Sequence, residues 1–172
     1  MAIVKISKDG YGQLEINNCA FRRDGREEAQ CKLDASFEGV CEVGTLLEVD
    51  AGARTVKYAT ADSVLVGLHY SAEKDYEGKG LKSFALDKTG PLPRVGYLAV
   101  GDKFTVNAAC YNDADYTTLD ALKGAYAGIS ANVPGYWELS KAAPSKGVTA
   151  KVIEVTTMPD GQPGVKLQII KA

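Results

Sequence analysis

The chain has 172 residues, of which 45% are hydrophobic and 24% charged, a composition typical of a globular protein and unlike that of a disordered or collagenous one. Twenty basic and 22 acidic residues give a formal net charge of −2, so no overall field draws the chain to nucleic acid or to an anionic membrane. At this length we expect one compact domain with a sizeable core.

The beginning of the chain carries no recognisable targeting segment. Residues 1–10 lack the continuous apolar run of a secretory signal peptide, and no apolar segment approaches the roughly 20 residues of a membrane-spanning helix. We therefore expect a product made in the cytoplasm. The cysteines form no Cys-x-x-Cys pair, so we predict free, partly buried thiols rather than a zinc site. The four are Cys19, Cys31, Cys41 and Cys110.

Residues 1–42 differ in character from the rest of the chain. They combine glycine and asparagine with a charged run over 22–28 and have no sustained helical or strand period. Short strands are possible over 3–6 and 13–16. We predict an extended N-terminal arm that packs on its own domain or reaches a neighbour. Its candidate partner-contact residues are Ile3, Ile6, Tyr11, Leu14, Ile16, Phe21, Arg22 and Arg23.

From Val43 onward, short apolar runs rich in β-branched and aromatic residues alternate with Gly, Asp and Pro. We expect the spacer 71–82 to be an exposed loop. Two prolines and two glycines within 159–164 predict the turn of a closing hairpin. The pattern predicts strands over 45–49, 55–59, 64–70, 83–86, 97–100, 103–110, 148–158 and 165–170.

One short helix is also predicted, beginning near Asp115 or Thr117 and ending towards Gly124. Several short strands joined by turns favour an antiparallel barrel or sandwich. The predicted fold is therefore mainly β. It consists of one antiparallel β-barrel or β-sandwich domain over 43–172, with one short helix, and an extended N-terminal arm over 1–42.

Residues that carry chemistry are sparse. His69 lies within a strand-like run with no nearby Ser or Cys for it to activate, which favours a structural role. Asp113 and Asp115 offer oxygen ligands but do not match an EF-hand loop, so loop and capping roles are favoured. The Gly-rich stretch 78–83 departs from the phosphate-loop pattern. We expect no catalytic residues, no cofactor and no metal, and therefore no enzyme.

Two adjacent aromatic residues are the candidate surface aromatics. Tyr136 and Trp137 follow Pro134-Gly135, a place where rings can line a sugar-binding or protein-binding surface. Adjacent strand residues point to opposite faces, so we expect one ring to enter the core and the other to face outward. Core packing is the favoured role.

Glycine-delimited apolar stretches recur in a fixed order along the chain. They are 43–49 (VGTLLEV), 63–67 (SVLVG), 98–104 (LAVGDKF), 151–155 (KVIEV) and 164–167 (GVKL). From Gly44 to Ile170 this order resembles the small capsid decoration, or cement, proteins of tailed bacteriophages. The resemblance implies a non-enzymatic virion protein, made in the host cytoplasm, that coats the outer capsid surface. It also implies that the major capsid protein is the partner and that the chain is a homo-oligomer, with a trimer favoured.

Two alternatives stay open, because such strands also occur in tail-tube proteins and in carbohydrate-binding β modules. A tail-tube protein would polymerise by itself, whereas a decoration protein needs its shell lattice. A glycan-binding module would show a response of Trp137 to sugar. For the decoration protein we hypothesise that residues 1–42 supply much of the capsid contact by β-augmentation. Truncating them is then expected to abolish shell binding and leave the domain folded.

Overall fold

The computed structural model describes residues 2–7, 11–71 and 86–172. Residues 83–85 of one predicted strand and 72–82 of the predicted loop lie outside these ranges. The described strands are β1 (Ile3–Lys5), β2 (Leu14–Asn18), β3 (Glu27–Glu28), β4 (Lys32–Leu33), β5 (Leu46–Asp50), β6 (Thr55–Tyr58), β7 (Val66–His69), β8 (Val95–Tyr97), β9 (Lys103–Val106), β10 (Ala109–Asn112), β11 (Tyr126–Ile129), β12 (Trp137–Ser140), β13 (Thr149–Thr157) and β14 (Pro163–Lys171). The prediction of a mainly β chain is confirmed.

The strands form two mixed sheets. The eight-stranded sheet has the order β1-β10-β12-β11-β13-β14-β9-β2, and the six-stranded sheet has the order β3-β8-β7-β5-β6-β4. Most neighbours are antiparallel, but β10 runs parallel to β12 and β4 parallel to β6. The predicted antiparallel arrangement therefore holds for most pairings and is wrong in these two.

Both sheets curl strongly without closing. In the eight-stranded sheet β9 and β10 lie near opposite ends of the order, yet only Asn107 and Ala108 separate them, a span of at most about 11 Å. In the six-stranded sheet the edge strands β3 and β4 are three residues apart. Among the described residues no strand pairing joins β1 to β2 or β3 to β4. Of the two predicted alternatives, a barrel or a sandwich, the barrel is therefore wrong, and each sheet has a seam between its two edge strands.

The β13–β14 hairpin shows how alternation builds the eight-stranded sheet. Val165, Leu167 and Ile169 are buried on one face of β14, as their spacing predicts. Leu167 lies opposite Val152 on one side and Phe104 on the other. The predicted hairpin is confirmed in the part of the chain that the structure describes.

The main hydrophobic core contains side chains from both sheets. Leu46 and Leu68 of the six-stranded sheet belong to one fully buried cluster with Phe104, Trp137 and Leu167 of the eight-stranded sheet. The Phe104 and Trp137 rings lie 5.6 Å apart between centroids at a tilt of 46°. Aromatic pairs in such a geometry stabilise a core beyond the burial of their apolar surface. The two sheets therefore share one core.

A second, smaller cluster lies against β5 and β6. Leu47 and Val49 alternate with Leu46 along β5, so they face away from the main core. The chain before residue 43 covers them with Cys31, Phe37 and other buried side chains. The N-terminal segment therefore supplies part of the interior.

The extended N-terminal arm is not confirmed. Each described strand before residue 43 pairs with a strand after it, through β1–β10, β2–β9, β3–β8 and β4–β6. Ile6, Leu14 and Phe21 are buried in the main core. The apolar side chains of these N-terminal strands show no recognisable alternation in the sequence, because the strands are only two to five residues long.

The predicted short helix is also not confirmed. The only helical turn between Asp115 and Gly124 is a 3₁₀ turn at Asp120–Leu122. Its N-cap residue, Leu119, makes no side-chain capping hydrogen bond, and Lys123 is already extended. Three residues without a capping side chain form too few hydrogen bonds to offset the free energy of helix nucleation, so this segment does not form an α-helix.

Candidate functional site

The edge strands of both sheets all come from residues 1–42 in the part of the chain that the structure describes. β1 and β2 border the seam of the eight-stranded sheet, and β3 and β4 border the seam of the six-stranded sheet. We call these four strands the N-terminal edges. Edge strands present backbone groups that can pair with a strand from another chain, so this segment forms the candidate interface.

The hydrogen bonds of β1 identify its outward side. The Asp113 N–H donates to the Ala2 carbonyl at 3.1 Å, and the Ile6 N–H donates to the Ala109 carbonyl at 2.9 Å. In an antiparallel ladder alternate residues bond to the same neighbour. The backbone groups of Ile3 and Lys5 therefore point away from β10, and the Ile3 side chain is 37% exposed.

The eight predicted contact residues divide by burial. Ile6, Leu14 and Phe21 are buried, so they stabilise the fold and are not exposed contact residues. The other five are Ile3, Arg22 and Arg23, which are exposed, and Tyr11 and Ile16, which are half-buried.

The candidate surface aromatics are both buried. Trp137 is fully buried and Tyr136 is 6% exposed, so the expectation that one ring faces outward is wrong. Tyr136 precedes β12, which begins at Trp137, and strand alternation does not apply to it. The Lys5 ammonium lies 5.0 Å from the centre of the Tyr136 ring. The pair offers no exposed platform for a sugar.

His69 lies in a buried polar cluster at the end of β7. Its Nδ1 is 2.9 Å from the Glu42 carbonyl oxygen, which only accepts, so Nδ1 carries the proton. The Ser71 hydroxyl donates to Nε2 at 2.8 Å and accepts the Arg94 N–H, also at 2.8 Å. Burial lowers the pKa of His69 to about 4, so the ring is neutral at pH 7.

The surroundings of His69 correct one part of the sequence interpretation. Cys41 Sγ lies 3.4 Å from Nδ1, and Ser71, two positions along the chain, contacts Nε2. Both groups therefore neighbour His69. Burial raises the pKa of Cys41 to about 12, so its thiol stays protonated, and both Cys41 and His69 are fully buried. The side chains of this cluster form hydrogen bonds with one another inside the protein, which agrees with the structural role expected for His69.

The cysteines follow the prediction. None of the four forms a disulfide, and Cys31, Cys41 and Cys110 are buried while Cys19 is half-buried. The Cys19 thiol donates to the Lys103 carbonyl at 3.2 Å. Burial raises the pKa of Cys110 to about 11. These thiols therefore pack as small apolar groups.

Sequence reasoning missed an apolar groove between the two sheets. It has a volume of about 400 Å³ and is lined by side chains from both sheets and their loops. The strand predicted over 64–70 is shorter in the structure, since β7 begins at Val66, and Val64 is 95% exposed. The residues that line this groove are Ser63, Val64, Leu65, Val66, Tyr97, Leu98, Gly147, Val148, Lys171 and Ala172.

Within residues 2–7, 11–71 and 86–172, no three His, Cys, Asp or Glu side chains are grouped to hold a metal ion. The same ranges contain no helix with the length and apolar character needed to cross a bilayer. Comparison with known proteins finds no matching family model, no matching curated protein and no matching solved structure.

Proposed function

We propose that this chain is a non-enzymatic virion structural protein that binds the outer surface of a bacteriophage head. It bridges neighbouring major capsid protein subunits and so stabilises the shell. The observation that carries this proposal is the placement of the N-terminal edges at the two seams. The pattern resemblance of the stretches from Gly44 to Ile170 supports the same role.

The N-terminal edges suit the role for a physical reason. A strand from a shell subunit that pairs with an edge gains main-chain hydrogen bonds, whose geometry does not depend on the identity of the side chains. The chain has two seams, one in each sheet, so it can contact more than one subunit. Trimers on the shell would multiply these contacts.

The test uses phage shells assembled without this chain. Truncation of residues 1–42 is unsuitable, because it removes buried Phe21, Phe37 and Cys41 along with the edges. A double variant, Ile3→Pro with Arg23→Glu, changes an outward N–H of β1 and an exposed charge in the turn that joins β2 to β3. Proline is tolerated at a strand edge when its missing N–H faces outward.

We expect wild-type chain to bind these shells and to raise the temperature at which they open. The double variant is expected to bind at least about tenfold more weakly, since losing interface contacts worth more than 1.4 kcal/mol reduces affinity by that factor. Leu92→Glu, at an exposed site outside the N-terminal edges, is the matched control and should bind like wild type. Equal binding by the double variant and the control would contradict the role of the N-terminal edges.

A further inference from the structure

Two adjacent exposed apolar side chains line the groove between the sheets. Val64 is 95% exposed and Leu65 41% exposed on one wall. These are two of the seven large hydrophobic residues exposed in the described ranges. A clustered apolar patch of this kind marks an interaction site.

The size of the groove indicates a short occupant. Its volume of about 400 Å³ falls at the low end of the roughly 300–1,000 Å³ typical of small binding sites. A stable protein dimer needs about 20–30 residues on each side, and the groove with its flanking residues provides about half that number. A chain segment with two or three aliphatic side chains fits better than the face of a second copy.

The charged residues around the groove indicate which polar group the occupant carries beside its aliphatic side chains. Lys171 lines the groove, is exposed and takes part in none of the ion pairs among the described residues. Lys146, next to groove residue Gly147, is already neutralised by Asp62 at 2.7 Å. The rim therefore keeps one unpaired positive charge, which a carboxylate on the occupant would complement.

The groove is continuous with the N-terminal edges. The Tyr97 N–H donates to the Arg26 carbonyl at 2.8 Å, and the Arg26 guanidinium donates to the Tyr97 carbonyl. Tyr97 therefore lies both on the wall of the groove and next to β3. The groove is therefore separated from the free edge of the six-stranded sheet by β3 alone.

We propose that the groove binds a short segment of the major capsid subunit that carries two or three aliphatic side chains and an acidic residue. This assignment rests on the proposed function and adds a second contact to the N-terminal edges. The aliphatic side chains contact Val64, Leu65 and Leu98, and the carboxylate pairs with Lys171. The aliphatic contacts supply most of the affinity, and the charge pair sets the register.

The test measures binding to shells that lack the chain, using Val64→Asp and Lys171→Glu. Both side chains are exposed, so we expect unchanged melting temperatures. Each variant should bind at least about tenfold more weakly than wild type. The matched controls are Leu92→Asp and Lys123→Glu, also at exposed positions, and should bind within about twofold of wild type. Lys171→Glu should also weaken the salt dependence of binding.

The possible results distinguish a failure of the groove assignment from a failure of the proposed function. If wild type binds and both groove variants bind equally well, the groove assignment is overturned and the proposed function stands. If wild type itself does not bind the shells, both are overturned. If Val64→Asp instead dissociates an oligomer of the free chain, measured by light scattering, the occupant is a second copy and the capsid-segment assignment is wrong.

Discussion

Replacing Phe21 with alanine is expected to destabilise the protein by about 3–5 kcal/mol, the usual cost of removing a buried phenylalanine. Phe21 is 1% exposed, and its ring lies 4.7 Å from that of Tyr70 between centroids. A Cβ placed on Gly96 would come within 2.6 Å of the Phe21 ring, so the ring lies directly on β8. Urea unfolding of the variant measures the loss.

Two comparison variants show whether the loss of stability comes from the packing of the Phe21 ring. Arg23→Ala, two positions away and exposed, should change stability by less than about 0.5 kcal/mol. Gly96→Ala should also destabilise, because the added methyl group pushes against the Phe21 ring. If Phe21→Ala behaved like Arg23→Ala, the N-terminal segment would be a loose arm, contrary to the packing described above.

The second large effect is a loss of stability in acid that depends on His69. Burial lowers the pKa of the folded-state imidazole to about 4 from an ordinary 6.5. Between these values the unfolded chain binds a proton that the folded chain excludes. The His69 contribution is therefore complete above about pH 6.5, falls as the pH drops and levels off below about pH 4. The loss across this window approaches about 3 kcal/mol.

His69→Gln supplies the comparison, because glutamine does not titrate. The free energy of unfolding is measured for both proteins from pH 7.5 to pH 4, and the difference between the two curves isolates His69. The ring contacts Cys41 Sγ, the Glu42 carbonyl oxygen and the Ser71 hydroxyl, which both proteins share. Burial raises the pKa of Glu42, which acts in the opposite direction and cancels in the difference. Parallel curves would contradict a buried neutral His69.

The sequence predicted those strands whose alternation is long enough to be recognised. The closing hairpin was predicted because Val165, Leu167 and Ile169 alternate over a nine-residue strand. β11 and β12 were missed. Gly128 in β11 lies so close to Pro144 that a Cβ there would clash with its ring at 2.4 Å. A strand that needs glycine for packing loses the apolar alternation by which it would be recognised.

The N-terminal segment could not be assigned from its sequence, because its partners are distant in the chain. β1 pairs with β10 more than 100 residues away, and β3 and β4 are two residues long. Their place in the sheets is decided by tertiary pairing and by single buried residues such as Phe21, which leave no local period. The role of these strands as sheet edges follows only from the strand order.

The candidate site was predicted only in part, because its composition also depends on tertiary pairing and on where each strand begins. Of the predicted contact residues, Ile3 and Arg23 are exposed, because an edge strand and a charged turn both leave side chains in solvent. Val64 was missed because it lies in an apolar run that continues into β7. Only the position where the strand begins separates an exposed Val64 from a buried Leu68, and strand boundaries are poorly defined by composition.

We propose that this chain belongs to a phage head. The most direct test is quantitative mass spectrometry of purified particles from the source, which gives its copy number relative to the major capsid protein. We expect a ratio comparable to that of the shell subunit, and particles from which the chain can be removed while the head stays intact. Absence of the chain from purified particles would contradict the account.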